Sequence, residues 1–145
     1  MSQITAHSLE SMLTDYGWAF QNAGENHWLT GFQGSERYFP LSIRLTQTCV
    51  SFEIRPLIDL RIDSPRYQML SRELLELNTR LQVAKLAVND VGEVSLACQV
   101  LANSFDADML GRILGIIGYY ADEVAPEIYH RLAAFGPETH SSMLS

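Results

Sequence analysis

Positive charge is scarce and unevenly placed in this chain. Lys85 is its single lysine, and residues 1–36 contain neither Lys nor Arg. A surface that tracks phosphates needs clustered cations, so neither nucleic acid nor an anionic membrane is the expected partner. Cysteine is scarce too. Cys49 and Cys98 stand far apart and outside any C-x-x-C pair, so zinc and dithiol redox chemistry lack their ligand spacing. Long apolar runs are missing. The longest, Ile113 to Ala121, is nine residues and is broken by Gly115 and Gly118, whereas a bilayer span needs about 20. Met1-Ser2-Gln3-Ile4 supplies no basic n-region and no apolar h-region, which makes the cytoplasm the expected location. Catalytic motifs are also lacking. There is no G-x-S-x-G, and neither cysteine lies in a motif with histidine. The adjacent Asp122 and Glu123 diverge on a helix. No catalytic residue, metal ligand or cofactor is expected.

What is present describes a folded domain. Of 145 residues, 47% are apolar, enough for one core without staples. The net charge of −7 lies at the ends. Residues 1–36 hold four acids, 37–103 balance eight bases against seven acids, and 104–145 hold six acids and two bases. An acidic surface of this kind favours a basic partner.

The apolar periodicity sets the element order. Leu9, Met12, Leu13 and Tyr16 mark a short helix from Ser8, with Thr5 or Ser8 as its cap. Period two follows from Trp18 to Asn22 and from His27 to Phe32, around a turn at Ala23–Asn26. Phe39, Leu41, Ile43 and Leu45 alternate with polar residues, and after Gln47-Thr48 so do Val50, Phe52 and Ile54. Asp63-Ser64-Pro65 starts a helix that runs to about Leu81. A hairpin follows, with strands over 84–88 and 94–100 turning at Asn89–Gly92. Cys98 is then expected on the core face and Cys49 on the other. A last helix starts near Ala107, capped by Ser104 or Asp106, and fades near Phe135. The expected fold class is α+β, an antiparallel sheet with the order α-ββββ-α-ββ-α, in one domain over 1–135 with a flexible tail over 136–145.

Two groups of residues suggest binding. Tyr67, Leu70, Leu74, Leu77 and Leu81 recur at spacings of three and four, a narrow heptad seam that suits another helix as well as a sheet. It is the expected element for self-association or for gripping a partner. Trp18, Phe20, Trp28 and Phe32 lie in phase on the first hairpin and are the expected wall of a peptide-binding groove. Two further patterns have plain structural readings. Gly111, Gly115 and Gly118 bare one strip of the last helix for close packing on its own sheet, and Glu127-x-x-His130 reads as an exposed ion pair.

The block Glu73 to Leu81, the strand Lys85-Leu86-Ala87-Val88 and its return Gly92-Glu93-Val94-Ser95-Leu96 resemble the YbjN-like family. So do Tyr120-Ala121-Asp122-Glu123 and Pro126-Glu127-Ile128, which extends the resemblance over about residues 60–135. That family is similar in fold to the type III secretion chaperones, small acidic proteins that commonly dimerise and hold extended segments of clients. Pro56 to Arg61 and the aromatic hairpin look most like its cyanobacterial branch, in which one role is assembly of carboxysome shell proteins through a shell protein's tail. The resemblance implies a non-enzymatic chaperone or adaptor whose partner is a client segment, basic or a shell-protein tail, with the seam helix as the element of a homodimer. A second reading is a regulatory or structural dimer without a client, like the sensory transduction regulators of the family. A third, an enzyme or small-ligand binder, requires a deep polar pocket.

Overall fold

The computed structural model describes residues 4–58 and 64–144, with side chains for 4–58 and 66–134. Helix α1 (Ala6–Tyr16) leads into strands β1 (Gln21–Gly24), β2 (His27–Gln33), β3 (Tyr38–Leu45) and β4 (Cys49–Ile54). Helix α2 (Ser64–Asn78), strands β5 (Lys85–Val88) and β6 (Val94–Leu101), a 3-10 turn at Ala102–Ser104 and helix α3 (Ala107–Leu144) complete the chain. The sheet is antiparallel throughout and ordered β1-β2-β3-β4-β6-β5. This is the α+β architecture that the order of periodicities predicts.

Local chemistry explains most boundaries. At the start of α1, the Ser8 N–H donates to Thr5 Oγ1 and the Thr5 N–H donates to Ser8 Oγ, a reciprocal capping box. Gly17 ends the helix at φ 91°, where a side chain would be strained. Asp106 Oδ1 accepts the Met109 N–H at 2.8 Å and caps α3. The cap expected just ahead of Pro65 lies outside the residues whose side chains are described.

Three boundaries differ from the sequence reading. β1 begins at Gln21 rather than Trp18, because pairing with β2 starts at Gln21 opposite Leu29. Before that point the ladder gives way to a side-chain bond from Thr30 Oγ1 to the Ala19 carbonyl. Helix α2 ends at Asn78, and the chain to Leu81 is carried by three i→i−3 bonds from Thr79, Arg80 and Leu81. Helix α3 continues to Leu144, past the end expected near Phe135 and into residues read as a tail.

Strict alternation divides the sheet into two faces. On one, Trp28, Ile43, Phe52 and Cys98 stand side by side across four strands, as do Leu41, Ile54, Leu96 and Leu86. All eight are buried and form one core with apolar residues of the three helices. Trp28 Nε1 donates to Glu10 Oε2 of α1 at 2.7 Å, Phe52 meets Phe105, and Phe32 meets α3 at Gly118, so the helices cover this face. Cys98 lies in the core and Cys49 on the opposite face, as the period predicts.

Candidate peptide-binding surfaces

The heptad seam belongs to the core. Leu70, Leu74, Leu77 and Leu81 are between 1% and 6% exposed, and Tyr67 packs against them partly buried. Burying each leucine contributes roughly 1.5–3 kcal/mol to folding, and none is left on the surface for a second helix. This corrects the expectation of a free dimer or partner seam. The sequence pattern could not distinguish the two, since a sheet and a neighbouring helix both accept a narrow stripe. On the outer side of α2 it is Leu75 that is exposed, at 70%.

The aromatic strip divides. Trp28 is fully buried with its indole N–H bonded to Glu10, so it stands in the core and not in a groove wall. Trp18, Phe20 and Phe32 are half-buried. Ring contacts run from Tyr16 to Trp18 at 6.3 Å, to Phe32 at 5.9 Å and to Phe39 at 5.4 Å. The glycine strip of α3 lies against this row. A methyl on Gly118 would meet Phe32 at 3.6 Å and one on Gly111 would meet Tyr16 at 3.2 Å, while Gly115 faces open space. The strip is thus partly accessible between Tyr16 and Phe32, and the four residues of β1 are all exposed.

The two edges of the sheet are not equivalent. At β5 the Asn78 side chain acts as a substitute strand: Nδ2 donates to the Leu86 carbonyl at 3.1 Å and Oδ1 accepts the Leu86 N–H at 2.7 Å. Lys85 Nζ donates to the carbonyls of Asn78 and Leu81 and so caps the end of α2. The Leu-Asn pair and the lysine that carry the sequence resemblance are therefore one device that closes the β5 edge. Among the described residues, β1 has no such plug in its side-chain bonding. Asn22 Oδ1 accepts the Gly24 N–H, and its Nδ2 donates to Glu10 of α1.

An ion cluster joins α2 to α3. Arg131, 22% exposed, donates to Glu73 at 2.6 Å, Glu76 at 2.7 Å and Glu127 at 2.8 Å, while Arg80 donates to Glu127 at 2.5 Å. The bond from Arg80, and then that from Arg131, holds the Glu127 carboxyl below the ordinary glutamate range. Its partners are these arginines and not His130. Asp122 accepts the Ser35 Oγ–H and N–H at 2.6 and 2.8 Å, which lowers its pKa and ties α3 to the β2–β3 loop. Among the described residues no group of three His, Cys, Asp or Glu is arranged to hold a metal ion. No helix among them is long and apolar enough to cross a membrane.

The face of the sheet opposite the core is the surface that sequence reasoning missed. Gln21, Leu29, Ser42, Glu53, Ala97 and Lys85 form one row across all six strands, and His27, Arg44, Ser51 and Gln99 form the next. Small side chains at Ser42, Ser51 and Ala97 leave a trough of about 370 Å³ flanked by Arg44, Lys85 and Val83. Gln99 donates to Ser51 and His27 Nε2 pairs with Ser42 across the floor. Beside the trough, Gly31 lets the Tyr38 side chain lie across β2, where any Cβ would collide with it. The signal for it is the polar half of the strand alternation, Ser42, Arg44, Ser51 and Glu53.

Three comparisons place this architecture among known proteins. Residues 63–134 match the family model described as T3SS (YopN, CesT) and YbjN peptide-binding chaperone 1. A chain of the heterodimeric ExoU–SpcU complex from the type III secretion system of Pseudomonas aeruginosa is similar at TM-score 0.56 and 17% identity, over 81% of this chain and 95% of that one. YbjN of E. coli is similar at TM-score 0.58 and 12% identity, over 92% and 96% respectively. No curated protein matches the sequence. At these identities the two structures establish the fold, and the family match covers α2 to α3, where the Asn78–Lys85 device lies. The chain is a YbjN-like, type III secretion chaperone-like protein.

Proposed function

We propose that this protein is a cytosolic, non-enzymatic chaperone or adaptor that holds an extended segment of a client polypeptide. The observation that carries this reading is the match of residues 63–134 to a family of peptide-binding chaperones. An extended segment brings unpaired backbone groups with it, which are satisfied best by a strand edge, and side chains that need apolar pockets. The exposed β1 edge supplies the first, and the half-buried Trp18, Phe20 and Phe32 beside it supply the second. In a cyanobacterial host the client implied by the sequence resemblance is a carboxysome shell protein, held by its tail.

The test is co-purification of the tagged protein with such a client, in full length and with its tail removed. Retention of the full-length client and loss of the truncated one is expected. Clients retained through a folded domain alone, with the tail irrelevant, refute the reading. Trp18→Ala and Phe32→Ala are expected to weaken retention while leaving Trp28 and its bond to Glu10 in place.

A further inference from the structure

The open face of the sheet differs in sign from the rest of the molecule. Arg44, Arg55 and Lys85 stand on it, with Glu53 as the single acid of the strands there, although the chain as a whole carries −7. Arg44 is exposed and makes no hydrogen bond or ion pair with the described residues. Arg55 reaches Glu53 at 3.8 Å, a loose contact between half-exposed groups. Lys85 uses two of its three donors on the end of α2, which leaves one for a ligand.

A second, independent observation lies at the rim. Val83 has φ 74° and is the centre of a γ-turn, closed by the bond from the Ala84 N–H to the Gln82 carbonyl at 2.8 Å. A β-branched residue in this conformation is strained. It persists because both sides of the turn are clamped. The Gln82 N–H donates to the Tyr120 hydroxyl on one side, and Leu86 is bracketed by Asn78 on the other. The strain holds an apolar side chain, 54% exposed, at the edge of the polar trough. Strain of this kind collects at binding sites.

We propose that the open face is a docking site for an acidic extended segment of the client. Its main chain crosses the small residues Ser42, Ser51 and Ala97, its carboxylates meet Arg44 and Lys85, and an apolar side chain rests on Val83. Three strand spacings separate β3 from β5, about 14 Å, which an extended chain covers in about four residues. Acidic positions at that spacing therefore meet both cations. This inference rests on the peptide-binding reading and reverses the expectation of a basic client. Net charge averages over the acidic ends, whereas a bound segment responds to the charges within about 8–10 Å of it.

Fluorescence anisotropy tests this with labelled unstructured peptides of one sequence carrying Glu, Lys or Ser at about every fourth position. The Glu peptide is expected to bind most tightly and to weaken with salt. Arg44→Glu and Arg55→Glu, both exposed and remote from the core, are each expected to weaken it about five- to tenfold. Circular dichroism checks that these variants keep the fold. Preference for the Lys peptide, or an unchanged affinity in both variants, overturns the acidic site while client binding through β1 stands. Client capture that fails as well overturns both readings. If Arg44→Glu instead shifts the sedimentation coefficient, a second copy occupies the face and the proposal fails.

Discussion

Replacing Asn78 by Ala separates the edge plug from everything else at the end of α2. The substitution removes two bonds to Leu86, at 3.1 and 2.7 Å, and leaves a largely buried N–H and C=O without their partner. Two net hydrogen bonds are worth about 1–3 kcal/mol. Alanine returns about 0.5 kcal/mol through its better helix propensity, so the expected loss is about 0.5–2.5 kcal/mol. For a chain of this size that lowers the melting temperature by about 1–10 °C. Asn78→Asp keeps the acceptor for the Leu86 N–H, loses the donor and puts negative charge at a helix C-terminus, where Lys85 partly offsets it. It is expected between wild type and the alanine variant. Urea unfolding followed by circular dichroism reads the loss, and sedimentation reads a second consequence, since an unplugged β5 edge is free to pair with another chain. An alanine variant within about 0.3 kcal/mol of wild type, well below one net hydrogen bond, and unchanged in sedimentation would refute the plug.

Other predictions concern the core, the ion cluster and α3. Leu77→Ala is expected to cost about 2–5 kcal/mol, with an unfolding midpoint independent of protein concentration; a concentration-dependent midpoint would return the seam to an interface. Glu127 has a folded pKa below its ordinary value of 4.5, so its ion pairs stabilise fully above that value and are lost as pH falls through the lower folded one. Stability is therefore expected to decline below pH 4.5, and Glu127→Gln to flatten that decline in urea titrations at successive pH values. A variant that declines as steeply as wild type would count against the Arg80 and Arg131 pairing. Gly115→Ala, on a helix position facing open space, is expected to raise stability by about 0.5–1 kcal/mol, measured by thermal unfolding.

The sequence alone determined the elements and their faces. Period two in Phe39–Leu45 and Val50–Ile54 and the 3.6-residue period in α1 and α2 are local consequences of where a backbone points its side chains, so they are legible residue by residue. The motif Leu77-Asn78 with Lys85 was visible as a resemblance, without its mechanism. Tertiary structure decided which elements meet. Pairing of β4 with β6 brings Arg44, Ser51 and Lys85 onto one face, and covering the other face with α1 and α3 puts Trp28 in the core while Trp18 and Phe32 stay half-exposed. The leucine seam met its own sheet and α3. Period fixes the direction of a side chain, but its neighbours come from chain segments tens of residues away, and no local pattern records which of several apolar surfaces arrives there.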